Sequence, residues 1–219
     1  MLRILYEDNH LIAVFKPAGT LVQGDISQKR CLMDDIKDYL KQKYQKPGNV
    51  FLGLIHRLDR PTAGIVLFAK TSKGAARVSE QFRTHTVKKI YQAVVHGVVK
   101  EKSKTLVHYL HKNHNTNIVT IVSKNHEGSQ LCELSYTLLR TNGKYSLLEV
   151  HLKTGRSHQI RAQLSEIGHP IVGDVKYGAP KSRDFDGTIA LAAVELHFTT
   201  ATGSETKTIH TDWDGAKMV

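Results

Sequence analysis

The chain opens with two short, largely apolar runs, Leu2 to Tyr6 and Leu11 to Phe15, on either side of the polar, turn-prone Asp8-Asn9. That pattern predicts a β-hairpin, which runs into a rigid loop at Lys16-Pro17-Ala18-Gly19. Leu32, Met33, Ile36, Tyr39 and Leu40 then recur at helical spacing, and Pro47-Gly48 stops the pattern after Lys46, predicting a surface helix with one buried face. Two apolar blocks, Val50 to Ile55 and Ile65 to Ala69, flank the polar stretch His56 to Ala63, which is expected to form a loop between two buried strands. Ala75, Val78, Ser79 and Phe82 mark a second helix with Lys73, Arg77 and Arg83 on its exposed face.

Strands are predicted next at Ile90 to Val99, Leu106 to Leu110 and Ile118 to Val122. Leu131 to Arg140 and Tyr145 to Leu152 alternate around Asn142-Gly143, a dipeptide that tolerates the positive φ values of a tight hairpin turn. Ile160, Leu164 and Ile167 share a helical face, with Gly168 placed for a left-handed C-terminal cap, and Ile189 to Phe198 reads as a last buried strand. Strands outnumber helices and mostly follow one another, and no repeat or low-complexity tract interrupts them. The expected fold class is therefore α+β, a mixed, largely antiparallel β-sheet flanked by helices, in one domain over residues 1–219.

Charge adds a partner to this picture. Lys and Arg number 31 against 20 Asp and Glu, and the net charge of +11 favours a polyanion: RNA, DNA or an acidic membrane face. Lys73, Arg77, Arg83, Lys88 and Lys89 fit part of a phosphate-binding surface or, equally, a solvated face. The longest clean apolar run, Gly64 to Ala69, is too short to span a bilayer, and Met1 to Phe15 has no signal or anchor pattern, so no membrane is expected. Cys31 and Cys132 lie far apart in sequence, which argues against a disulfide framework or thiolate metal site and fits a reducing cytoplasm. His108 and His111 fall on opposite sides of a strand, and neither they nor His114 belong to a metal-binding signature, so no metal is expected.

Two polar clusters stand in apolar surroundings: His56-Arg57-Leu58-Asp59-Arg60, and Thr154-Gly155-Arg156-Ser157-His158-Gln159-Ile160-Arg161. An ionised Asp59 near the core would cost several kcal/mol in desolvation unless a cation such as Arg156 pairs with it. A carboxylate so paired stays charged and can serve as nucleophile or base. The plain alternative is a salt bridge between Asp59 and its neighbours Arg57 or Arg60.

The order of motifs goes further. His56 to Gly64 resembles the H-R-L-D-R-x-T-S-G signature of the RluA-type pseudouridine synthase family, with Ala63 where serine is usual. Ile4 to Gly19, Lys88 to Gly97, Leu152 to Arg161 and Gly168 to Gly178 resemble further motifs of that family in the same order, with Ser157 where threonine is commoner. The resemblance implies the pseudouridine synthase fold and isomerisation of chosen uridines in structured ribosomal or transfer RNA, without cofactor, metal or obligatory protein partner. It implies Asp59 as the catalytic aspartate, Arg156 as its ion-pair partner and Tyr91 as the ring stacked on the target uracil. Arg57 would fill the space of the flipped nucleotide, a role suited to a planar cation. Lys16, Arg161 and Leu164 would shape the edge of the site, and His56 and His158 would support it through hydrogen bonds. The chain begins almost at its first motif, so no separate N-terminal RNA-binding domain is expected.

Two competing readings remain at this level: an RNA hydrolase using His56, Asp59 and His158 as acid and base, and an RNA-binding module without catalysis. A protein-kinase reading of H-R-L-D fails, because the kinase loop lacks the inserted leucine and no glycine-rich phosphate loop precedes it.

Overall fold

The computed structural model describes residues 2–25, 28–203 and 205–219. In chain order the strands and helices are β1 (Arg3–Glu7), β2 (Leu11–Lys16), α1 (Leu32–Lys43), β3 (Gly53–Leu54), β4 (Ala63–Ala69), α2 (Ser72–Arg83), β5 (Lys88–His96), β6 (Ser103–Asn113), β7 (Ile118–Val122), β8 (Gln130–Thr141), β9 (Tyr145–Leu152), α3 (Gln159–Glu166), β10 (Leu191–Thr199) and β11 (Thr206–His210). The α+β class and its largely antiparallel pairing follow the expectation. The chain forms two compact units, residues 1–87 with 193–212, and residues 88–192 with 213–219.

In the first unit β1 and β2 form the predicted hairpin, closed by Asp8, whose Oδ1 accepts the N–H groups of His10 at 2.7 Å and Leu11 at 2.6 Å. Such an Asx turn lets one short side chain replace a turn of backbone. β2 pairs antiparallel with β4 from Leu11 opposite Ala69 to Lys16 opposite Gly64, and β4 neighbours β10 on the way to β11. Leu11, Ala13, Ile65, Leu67, Val78, Leu196, Phe198 and Ile209 make the core. Each leucine so buried contributes roughly 1.5–3 kcal/mol.

α1 runs as predicted but ends at Lys43, ahead of Pro47; Leu32, Ile36 and Leu40 are buried, and the Asp34 carboxylate accepts the Cys31 N–H at 3.0 Å at its start. α2 is capped by Thr71, whose Oγ1 accepts the Gly74 N–H at 3.1 Å. The block expected to be a strand over Val50 to Ile55 pairs only at Gly53 and Leu54, opposite Ala69 and Phe68. β4 gives one edge wholly to β2 and shares the other with β10, so little of it is left for β3. Gly64 is required at its position: its φ is +120°, and an added Cβ would collide with the backbone of Ala193. Ile189 to Phe198 is not the last strand, because β11 follows it and pairs antiparallel with β10.

In the second unit the strand order is β5-β9-β8-β6-β7, every neighbouring pair antiparallel. The turn between β8 and β9 differs from the two-residue turn that Asn142-Gly143 suggested. It takes in Lys144, only Gly143 has positive φ, and Asn142 Oδ1 accepts the N–H groups of Lys144 at 3.1 Å and Tyr145 at 2.9 Å. The asparagine therefore shapes this turn through its side chain rather than by adopting a left-handed backbone. α3 is buried beyond the expected face: Gln159, Arg161 and Gln163 are as enclosed as Ile160 and Leu164. Gly168, at φ +80°, follows as the predicted cap.

Candidate active-site residues

The loop that carries Asp59 connects β3 to β4 in the first unit. Along it Arg57 and Arg60 face solvent, Leu58 is buried and Asp59 is half-buried, so the leucine anchors a polar loop to the core. The backbone at and after Asp59 is held: the Thr62 N–H donates to the Asp59 carbonyl at 3.0 Å, and the Arg60 carbonyl accepts the Gly19 N–H at 2.8 Å. Arg60 Nε donates in turn to the Gly19 carbonyl at 3.0 Å.

Lys16 lies under this loop, fully buried at the end of β2. Its Nζ donates to the carbonyls of Pro17 at 3.1 Å, Thr20 at 2.9 Å and Arg60 at 3.0 Å. Burial pushes this ammonium down to about 8, against the opposing pull of the Asp59 carboxylate. A lysine is buried this deeply only when all its donors are used, and here they tie two loops together.

His56, the first residue of the H-R-L-D cluster, is a support. Its Nε2 accepts the Leu67 N–H at 3.0 Å, and its ring stacks on Phe82 with centroids 4.5 Å apart. A nitrogen that accepts an amide proton carries none itself, so this ring is held in one orientation and one tautomer.

Tyr91 is buried in β5 of the second unit, opposite Val150 of β9. The loop from β9 to α3 carries Arg156, which is exposed; its Nε lies 3.5 Å from the Leu131 carbonyl. Lys89, half-buried in β5, is held below the usual lysine range by burial. Its Nζ lies 3.3 Å from where a Cβ on Gly155 would stand, so the glycine of this loop leaves room for the lysine.

Arg161 is the enclosed arginine of the same motif, 5% exposed. It holds Asp174, itself 1% exposed, through Nε to Oδ2 at 2.7 Å and Nη2 to Oδ1 at 2.8 Å, and its guanidinium lies 4.8 Å above the Tyr177 ring. The Tyr177 hydroxyl accepts the Val119 N–H at 3.0 Å and meets His158 Nδ1 at 2.7 Å. Leu164, on the next turn of α3, is fully buried. The structure thus gathers Lys16, His56, Arg57 and Asp59 in the first unit, and Tyr91, Arg156, Arg161 and Leu164 in the second. Asp174, Tyr177 and Gln159 escaped the reading of the sequence as site partners, although Asp174 and Tyr177 stand inside the quoted stretch Gly168 to Gly178. Among the described residues no three His, Cys, Asp or Glu side chains are grouped as metal ligands, and no helix is long and apolar enough to cross a membrane.

Residues 10–166, which hold both polar clusters, match the family model described as RNA pseudouridylate synthase. The chain belongs to this family. Among curated members of the pseudouridylate synthases, it is 32% identical over 234 aligned residues to the tRNA pseudouridine synthase C of Pectobacterium carotovorum subsp. carotovorum, covering 98% of this chain and 60% of the relative. It is 38% identical over 188 residues to the tRNA pseudouridine synthase C of Haemophilus ducreyi, covering 81% of this chain and 74% of the relative. To the ribosomal large subunit pseudouridine synthase C of Buchnera aphidicola subsp. Acyrthosiphon pisum it is 35% identical over 187 residues, covering 85% and 56%. The chain thus spans between 56% and 74% of the length of these three relatives. Among solved structures, human RNA pseudouridylate synthase domain containing 1 superposes with a TM-score of 0.77 at 25% identity, over 97% of this chain and 84% of that one.

Proposed function

We propose that this chain isomerises uridines to pseudouridines in structured RNA, of the transfer or ribosomal class, in a reducing cytoplasm. The single observation that carries the reading is the family match over residues 10–166, which contains Lys16, Asp59, Tyr91, Arg156, Arg161 and Leu164 in one ordered set. The names of the relatives, which include both tRNA and large-subunit rRNA synthases, support the substrate class.

The reaction breaks the bond from ribose to uracil nitrogen 1, turns the base and joins the ribose to carbon 5, whose hydrogen leaves as a proton while nitrogen 1 takes one up. No electrons are exchanged and no group enters from outside. The protein has to hold a detached base beside a reactive sugar and keep water away from both. Asp59 is the catalytic carboxylate, acting on the nucleoside as nucleophile or base, and Arg156 is the cation that keeps it charged in the reacting complex. Tyr91 offers its face to the uracil, a stacking worth about 1–3 kcal/mol per base. A uridine inside a helical stack is out of reach of such a carboxylate, so the nucleotide is extruded and Arg57 takes its place. The net charge of +11 supplies sequence-independent attraction to the RNA backbone.

A hydrolase would need His56 as acid or base, and the bond from the Leu67 N–H to His56 Nε2 argues against that use. The experiment is incubation with RNA tritiated at uridine carbon 5. Pseudouridine formation releases tritium from an uncut strand; a shortened strand, or bound RNA that keeps its tritium, would rule the proposal out.

A further inference from the structure

The loop between β9 and α3 is short and exposed at Arg156, yet one enclosed side chain governs its course. Gln159, 2% exposed at the first turn of α3, accepts the Arg156 N–H at 3.0 Å and the Thr154 hydroxyl at 2.8 Å, both on Oε1. Its Nε2 donates to the Glu133 carbonyl at 3.0 Å, and its own backbone N–H donates to the Arg156 carbonyl at 3.2 Å. Arg156 is thus held at both its backbone groups by one residue. Glu133, in β8, is the fixed post: its N–H donates to Thr154 Oγ1 at 2.9 Å, and its carbonyl accepts the N–H groups of Lys153 and Thr154 at 3.2 Å each.

We infer that Gln159 is a positioning residue for the isomerisation, setting the direction in which the Arg156 guanidinium leaves the loop. The inference rests on the proposed reading of Arg156 as part of the reacting site. An amide is the group this place requires, because one end must accept two protons while the other donates one. Glutamate has the same shape and would set an oxygen against the Glu133 carbonyl, and alanine would take the acceptor from the Arg156 N–H and one donor from the Glu133 carbonyl. Burial of the amide makes each lost bond count, since water is not at hand to replace it.

The test is a double-mutant cycle read by pseudouridine formation in single turnover. Gln159→Glu is expected to slow the reaction about tenfold, the worth of one or two such hydrogen bonds. In the Arg156→Ala background the same change should cost less than about threefold, because its effect passes through that arginine. Thr154→Val, which leaves Gln159 in place, is the second variant: it should slow wild type about threefold or more and the Arg156→Ala protein hardly at all. Rates within about twofold of wild type for both single variants, or losses that multiply fully with Arg156→Ala, overturn the inference while leaving the isomerase reading intact. A wild-type protein that forms no pseudouridine overturns both.

Discussion

Lys16 Nζ donates to the carbonyl of Arg60 at 3.0 Å, fastening the end of β2 to the residue that follows Asp59. The bond joins residues 44 positions apart in sequence and makes a buried ammonium part of the frame of the candidate catalytic loop. Lys16→Met fills the space but leaves three carbonyls short of a donor. A loss of about 1–3 kcal/mol in urea denaturation is expected, accompanied by slower pseudouridine formation.

The same lysine gives a pH dependence whose sign follows from its burial. Its folded value of about 8 lies below its ordinary 10.5, so between these values the unfolded chain keeps a proton that the folded protein has released. Stability attributable to Lys16 is therefore lowest below that window and rises as the pH climbs through it. Denaturation midpoints of wild type relative to Lys16→Met should increase from about pH 8 to pH 10; parallel profiles would remove the argument.

Asp59→Asn keeps the shape of the side chain and takes away its charge. Pseudouridine formation should fall below detection, while RNA affinity measured by filter binding stays within about threefold, because the basic surface supplies the attraction. Wild-type turnover in this variant would sink the assignment.

Arg57 is exposed on its loop, so Arg57→Ala should leave the thermal midpoint unchanged. Its single-turnover rate should fall about tenfold on a structured RNA and much less on an unstructured strand, where there is no stack to leave. Equal rates on the structured RNA would contradict the role.

The buried pair of Arg161 and Asp174 makes a prediction about stability alone. Asp174→Ala strands an enclosed guanidinium and should cost about 3–5 kcal/mol. Arg161→Met with Asp174→Leu removes both charges and should recover most of that loss, as apolar replacement of a buried pair often does. Chemical denaturation of the two proteins decides it.

Much of this molecule was legible from spacing alone. Period-two alternation placed β8 and β9, helical spacing placed α1, α2 and α3, and the apolar blocks around it marked the polar stretch from His56 as a loop. The ordered motifs carried the family. Those signals are local, because each residue's side of a strand or helix is set by its nearest neighbours in sequence. What only the tertiary structure decided is which distant group each polar side chain meets. β11 escaped notice because Ile209 is its only buried residue and its pairing with β10 supplies the rest of its stability. The short β3, the cage around Lys16, the union of Arg161 with Asp174 and the reach of Gln159 back to Arg156 depend likewise on where another stretch of chain comes to lie. A hydrogen bond needs its partner within about 3 Å, and no periodicity in the sequence encodes that distance.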